Sequence, residues 1–303
     1  MHQPSSLALT EYADIAADQE FHYGFPSICN STEETLVLTY RKGATHASDP
    51  AAVCVRRSQS AGRQWSDESV VWRDPDGYCV HNPAIHKMPD GSLFLFVSRY
   101  DFRERQRLTG VMLRSVDGGR HWSGAEPFPS PADRTTYYLT DLLTLPDAVI
   151  APAVCVSPAG KTGHRNTLYE TVDYGASWRI RADMSQPGEN MGNEVALAQT
   201  GEASLTALLR DSQRQGTFKL CSSDLGRTWG TPEVVPELGV FQKPTLTHLD
   251  GTHWLLTGRE YETSSVAARI SPDNLASFSE SMCIEQYRAD GGYTAAVRTA
   301  EDA

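Results

Sequence analysis

The 303-residue chain carries 27 Lys plus Arg against 38 Asp plus Glu, a formal charge of −11, with 40% hydrophobic and 21% charged residues. That balance is ordinary for a folded globular protein and sets aside collagen-like and wholly disordered chains. It also argues against a general nucleic-acid binder, because neutralising phosphates requires a basic surface; an anionic ligand must be met by local arginines.

From the N-terminus, the apolar patch Leu7–Leu9 has no basic region before it and is followed by Glu11 and Asp14, so no secretory leader is read. Cytoplasmic residence and export after loss of a leader both stay open. Residues Glu11 to Gln19 suit either a short helix or an outer strand. Short runs rich in β-branched and aromatic residues follow: Thr35–Tyr40 and Ala52–Arg57, Ser92–Ser98 and Gly110–Arg114, then Ala203–Leu209 and Thr217–Cys221. The longest apolar run, Ala148–Val156, contains Pro152 and is too short to span a membrane. Six cysteines lie far apart with no CxxC pair, which predicts buried reduced thiols on strands and no zinc site.

These strands flank an internal repeat. Ser58–Trp65 (SQSAGRQW), Ser115–Trp122 (SVDGGRHW), Thr171–Trp178 (TVDYGASW) and Ser222–Trp229 (SSDLGRTW) share one frame of hydroxyl, Asp, Gly and Trp. The first copy has Ser60 in place of Asp. A worn fifth copy, Ser271–Phe278 (SPDNLASF), lacks the glycine. The frame describes a hairpin turn: the carboxylate folds back onto turn amides, glycine takes the positive φ, and the indole packs between strands. Starts separated by 57, 56, 51 and 49 residues give four short strands per repeat, the pattern of propeller blades. The length then holds five to six blades in one domain, 1–303, with no linker or composition shift.

Boxes of this form and spacing resemble the Asp-box, or BNR, repeats of the sialidase superfamily. The resemblance implies an all-β, six-bladed propeller of four-stranded antiparallel blades. The last blade is expected to be short or completed by Leu7–Ile15, because only ten residues follow Tyr293. Similar boxes also occur in non-catalytic propellers, so function must be sought between them. In sialidases a neutral tyrosine attacks the anomeric carbon, a glutamate takes its proton, an aspartate protonates the leaving oxygen, and three arginines grip the sugar carboxylate.

Carried over residue by residue, the resemblance implies the following. The segment Arg41-Lys-Gly-Ala-Thr-His46-Ala-Ser-Asp49 resembles the stretch bearing the acid/base aspartate, which makes Asp49 the candidate acid and Arg41 a candidate anion ligand. Ser48-Asp49-Pro50 also reads as an ordinary loop turn. His46 is a candidate substrate contact or second proton donor, or else a polar loop residue. Gly192-Asn-Glu194 and Ala-Leu-Leu-Arg210 resemble the stretch giving the tyrosine's glutamate and one arginine; an ordinary surface ion pair is the bland reading. Arg259 resembles a further arginine, with Arg269 competing for the role. Asp290-Gly-Gly-Tyr293 resembles the turn presenting the nucleophile, against the reading of Tyr293 as a strand-face tyrosine. Asn82 stands before Pro83 where many relatives carry Asp, which alters a contact in the central pocket.

The match fails at the first family arginine. Tyr23-Gly24-Phe25-Pro26 occupies that place, with Gly24 where the guanidinium belongs, a loss of roughly 1.5–3 kcal/mol of charge-assisted bonding. The stretch Arg99–Arg107 concentrates four arginines and reads as a solvated hairpin tip, with a substrate-facing loop as the alternative. The leading expectation is an exo-glycosidase acting on a terminal acidic sugar of a glycan, with no cofactor or metal and no nucleic-acid or membrane partner. A non-catalytic glycan-binding propeller is the alternative, and a lyase using Tyr and His together on acidic polysaccharide is a third.

Overall fold

A computed structural model describes residues 7–157, 164–184, 194–211, 213–287 and 291–299. Five antiparallel sheets follow one another along the chain. Blade one holds β1 (His22–Asn30), β2 (Leu36–Gly43), β3 (Ala51–Ser58) and β4 (Ser69–Trp72). Blade two holds β5 (Cys79–Lys87), β6 (Leu93–Asp101), β7 (Gln106–Ser115) and β8 (Glu126–Pro127). In blade three the innermost strand is split into β9 (Thr135–Leu139) and β10 (Leu143–Thr144), both paired with β11 (Val149–Val156), outside which lie β12 (Arg165–Thr171) and β13 (Arg179–Asp183). Blade four holds β14 (Val195–Gln199), β15 (Leu205–Arg210), β16 (Thr217–Ser222) and β17 (Glu233–Val234); blade five holds β18 (Phe241–Asp250), β19 (His253–Glu260), β20 (Ser265–Ser271) and β21 (Met282–Gln286). Within each sheet the strands run inside to outside in chain order.

The repeats close as hairpin turns between the third and fourth strands. In each, the leading hydroxyl accepts the amide four residues on: Gly62, Gly119, Gly175, Gly226 and, in the worn copy, Leu275, at 2.8–2.9 Å. The third residue accepts a second amide through Asp117, Asp173, Asp224 and Asp273, and in the first box the Ser60 hydroxyl takes over that bond from Gln64 at 2.8 Å. The glycines are also packing devices. A Cβ on Gly226 would lie 2.9 Å from Leu168 and one on Gly175 3.1 Å from Phe94, both residues of the preceding blade. The second, third and fourth boxes therefore key into their predecessors, Gly119 against Val37 in the same way.

Apolar clusters knit blade one to two, two to three, three to four and four to five. Among the described residues no cluster joins blade five to blade one, and Gly62 abuts only Leu36 and Trp65 of its own blade. The expectation of six blades is corrected: among the described residues the sheets number five, not six. Leu7–Ile15 contributes no strand or helix; Tyr12 donates to Glu285 of β21 while Ile15 and Ala16 pack on blade one, so the segment straps the outside of the seam. On the inside, Thr245 and Thr247 of β18 donate to the carbonyls of Thr294 and Ala296, and Asn30 of β1 donates to that of Arg298. Segment 291–299 thus bridges β18 and β1 through side-chain bonds, without forming a ladder.

Among the described residues no helix is long and apolar enough to cross a membrane. All six cysteines are free, and the expectation that they are buried holds for Cys29, Cys54, Cys79 and Cys155; Cys221 and Cys283, on β16 and β21, are exposed.

Candidate functional site at the propeller mouth

Alternation of strand direction puts the Asp-box turns at one end of the barrel and the hairpins between second and third strands at the other. Each innermost strand starts at this second end, and three of them start in the same way. Phe25-Pro26, Asn82-Pro83 and Lys243-Pro244 each sit at a β-bulge, and Phe25, Asn82 and Lys243 each have a positive φ, of 56°, 40° and 49°. A proline cannot donate to the ladder, so pairing breaks there and the preceding side chain is re-aimed. The shared pattern Pro, small residue, Ile or Leu (Pro26-Ser-Ile, Pro83-Ala-Ile, Pro244-Thr-Leu) is a second repeat in the sequence, one that marks the start of three innermost strands.

These bulges line a central cavity of about 330 Å³ on the propeller axis, to which Asn82, Glu194, Lys243 and Tyr293 contribute. Above it opens a wider hollow of about 590 Å³ lined by His46, Arg210, Arg214, Gln242, Arg259, Tyr261, Ser264, Tyr287 and Tyr293. Tyr293 belongs to both.

Glu194 and Arg210 flank one hairpin, and Arg210 Nη1 donates to Glu194 Oε2 at 2.9 Å; the same oxygen accepts the Lys243 amide at 2.9 Å, a bond the left-handed bulge makes available. Arg259, at the end of β19, stacks its guanidinium carbon 4.6 Å over the Tyr293 ring and donates to the Gly291 carbonyl at 3.2 Å. Arg269 is turned away, donating to Glu260 Oε1 at 2.5 Å and to the Ser279 carbonyl at 3.1 Å. Of the two competing arginines, it is Arg259 that lines the hollow. On the blade-one side Phe25 approaches Tyr293 at 4.4 Å between centroids, and His46 stacks on it at 5.9 Å.

Arg41 differs from the expectation of an anion ligand. Its side chain is wholly buried and lines neither cavity. Nε donates to Val80 O at 3.0 Å, Nη1 to Thr45 O at 2.6 Å and Nη2 to Ser48 O at 3.1 Å. The guanidinium fork cinches the loop carrying His46 and Asp49. Asp49 itself is exposed at the same end, on the rim toward blade two and outside both lined cavities. Partial removal from water raises its pKa, and the Asp101 carboxylate adds to this against the opposing pull of Arg103 and Arg41. A carboxyl with a raised pKa is better suited to protonating a leaving group than an ordinary one.

The tip of the hairpin after Arg99, residues 102–106, is exposed, as expected, while the arginines that flank it are held. Arg99 pairs with Asp74 at 2.5 Å, and Arg107 lies 5.4 Å over the ring of Tyr137. Sequence reasoning also missed Asp141, beside the central cavity: burial pushes its carboxyl up to about 6, although its oxygens accept the amides of Leu197 and Leu142. Gly192 and Asn193, and Asp290 in the turn before Tyr293, lie outside the described residues. Among the described residues no cluster of three or more His, Cys, Asp or Glu is arranged to hold a metal ion.

Fold and boxes together define an Asp-box β-propeller. The chain belongs to the BNR repeat-like domain family, whose sequence pattern matches residues 34–302. No curated protein matches it. Among solved structures it is similar to a protein of unknown function from Dyadobacter fermentans DSM 18053 (17% identity, TM-score 0.77, covering 89% of this chain and 84% of that one). It is also similar to the Hadza microbial sialidase Hz136 (16%, 0.74, 88% and 59%) and to the Trypanosoma rangeli sialidase bound to the inhibitor DANA (13%, 0.66, 91% and 50%). The chain thus spans 59% of the first sialidase and 50% of the second. At these identities the likeness is one of fold.

Proposed function

We propose that this protein is a sialidase-like exo-glycosidase that removes a terminal acidic sugar, sialic acid or a relative, from glycans. The observation that carries the proposal is the meeting, at one mouth, of the Glu194–Arg210 pair with the Arg259–Tyr293 stack, residues drawn from two blades and the closing segment.

The roles follow from the chemistry. A sugar whose anomeric carbon already bears a carboxylate repels an anionic nucleophile, so the neutral Tyr293 hydroxyl attacks. Glu194 takes the phenolic proton through the oxygen not engaged by Arg210 and Lys243. Asp49 gives its proton to the departing glycosidic oxygen and then, as carboxylate, draws a proton from the water that releases the sugar; Glu194 returns the proton to Tyr293. Arg210 and Arg259 bind the anionic group, with His46 and Asn82 as further contacts. Arg41 serves by holding the loop.

The test is release of fluorophore from glycosides of sialic acid and of other terminal acidic sugars between about pH 4 and 8, the range over which carboxyl and histidine groups titrate. Turnover that disappears in Tyr293→Phe while the fold is kept supports the proposal. No turnover on any of them, or an unimpaired Tyr293→Phe, ends it. Gly24 and the Phe25 ring packed on Tyr293 favour a second reading, a glycan-binding propeller without turnover, which predicts glycan-array binding and no hydrolysis.

A further inference from the structure

At the end of the propeller opposite the mouth, a groove of about 800 Å³ crosses the turns of blades one and two. Its walls are the β1–β2 turn, the first box, the β5–β6 turn at Gly91 and the second box. The first box is the copy that departs from the common frame. In the other four, the carboxylate at position three also captures the side chain at position seven: Asp117 binds the His121 ring, and Asp173, Asp224 and Asp273 accept the hydroxyls of Ser177, Thr228 and Ser277, all at 2.5–2.6 Å. Ser60 has no second oxygen. It accepts the Gln64 amide at 2.8 Å, and the exposed Gln64 side chain, uncaptured by the turn, lines the groove.

The charges of the lining cancel, Glu34 and Asp117 against Arg57 and Arg120. Arg120 is held through one nitrogen, by the Asp117 carbonyl at 3.0 Å. Trp65 spends its Nε1 hydrogen on the Gly62 carbonyl at 2.8 Å, so the indole has only apolar surface to offer the groove. Two lining glycines leave bare backbone: a Cβ on Gly91 would meet nothing within 4 Å, and one on Gly118 would come no nearer than 3.6 Å, to Ser31 Oγ. That hydroxyl is an independent observation. Ser31, 6% exposed, lines the same groove, and its Oγ is buried with no partner in the protein. A buried hydroxyl without a hydrogen bond costs free energy that a ligand oxygen restores.

We propose that this groove is a second, non-catalytic saccharide site that takes a neutral sugar. A sugar hydroxyl donates and accepts at once, so it is met by donors and acceptors side by side, here Arg57, Gln64, Glu34 and Ser31, with Trp65 as the apolar surface for the ring's C–H face. A lining without net charge gives an anionic group no advantage, which separates the groove from the arginine-bearing mouth. The site stands whether or not the mouth turns over glycosides.

Titration of the full chain with lactose, chitotriose, mannotriose and cellotriose, and with N-acetylneuraminic acid as the acidic probe, tests it, read on the indole N–H resonances. The Trp65 resonance is identified by its loss in Trp65→Phe. The expected result is that at least one neutral probe moves this resonance below about 10 mM and the acid does not. Affinity for that probe falls about tenfold in Arg57→Gln and about threefold in Ser31→Ala, whose unliganded stability is unchanged because no bond is removed. Ser60→Asp is the stricter variant. Four other boxes carry Asp at that position, so the fold is kept, and the added carboxylate draws Gln64 and Arg57 away from the ligand, weakening binding about tenfold. No movement of Trp65 by any neutral probe, movement by the acid as strong as theirs, or binding that either Arg57→Gln or Ser60→Asp leaves intact overturns the site. None of these outcomes touches the hydrolase proposal, and absence of turnover ends that proposal alone.

Discussion

The guanidinium carbon of Arg259 rests 4.6 Å above the ring of Tyr293, and a backbone turn without a side chain makes this possible. Gly292 has φ +77°, and a Cβ there would lie 2.9 Å from Arg259 Cγ and 3.0 Å from Val266 Cγ2. The stack and the tyrosine's placement in both cavities depend on that close approach.

Gly292→Ala is therefore expected to displace Arg259 from Tyr293. The strain of a left-handed alanine costs about 1 kcal/mol, yet misplacing a reacting group costs on the order of tenfold to a hundredfold in rate. Steady-state kinetics beside thermal unfolding checks this. A variant that loses stability but keeps kcat would show that the stack does not position the phenol.

The pH dependence of kcat/KM is expected to report Asp49. The proton that Asp49 gives up must be present, so the rate falls as pH rises through its raised pKa. Asp101→Asn removes one of the negative charges that hold that proton while keeping an oxygen to accept the Arg103 amide, which lies 2.8 Å away. The alkaline limb should move to lower pH. A limb that stays in place, or moves up, separates Asp49 from the titration.

Arg41→Lys keeps the charge and loses the fork. One ammonium cannot reach the carbonyls of Val80, Thr45 and Ser48 together, and buried carbonyls left without donors cost about 1–3 kcal/mol each. The loop bearing His46 and Asp49 should loosen, with kcat falling more than KM rises. If KM alone rises, Arg41 acts as a substrate ligand after all.

His81 makes stability depend on pH. Burial, then Arg41 and His46, push its pKa down to about 3 from an ordinary value near 6.5, so the native state holds the ring neutral. Its contribution is fully present above 6.5 and is lost as pH falls below it, because the unfolded chain takes up the proton first. At pH 5 the loss amounts to about 2 kcal/mol. Thermal unfolding of His81→Gln between about pH 7 and 4.5 should give a shallower slope than wild type. Parallel slopes refute the assignment.

Much of this architecture was legible before any coordinates. The eight-residue boxes announced hairpins because their bonds close within the box: Ser115 to Gly119, Asp117 to His121. The worn fifth copy was readable for the same reason, since Ser271 and Asp273 keep both bonds although Leu275 replaces glycine. The candidates Glu194, Arg210, Arg259 and Tyr293 came from stretches that resemble those of the sialidase superfamily. Arg214 and Asp141 were missed because each is held by a neighbour from another blade, Tyr261 of blade five and Leu197 of blade four.

By itself the sequence determined the blade as a unit, with its period, its turn and its alternating strands, because these rest on interactions between residues close in the chain. Only the tertiary structure decided that the ring has five sheets closed by two strandless segments, since the seam between blade five and blade one depends on contacts such as Tyr12 to Glu285 and Asn30 to Arg298 that span most of the chain. It likewise decided which arginines face the mouth. Arg41, Arg259 and Arg269 all stand on strands, but burial and partners within reach turn the first to loop carbonyls and the last to Glu260, and leave Arg259 over Tyr293.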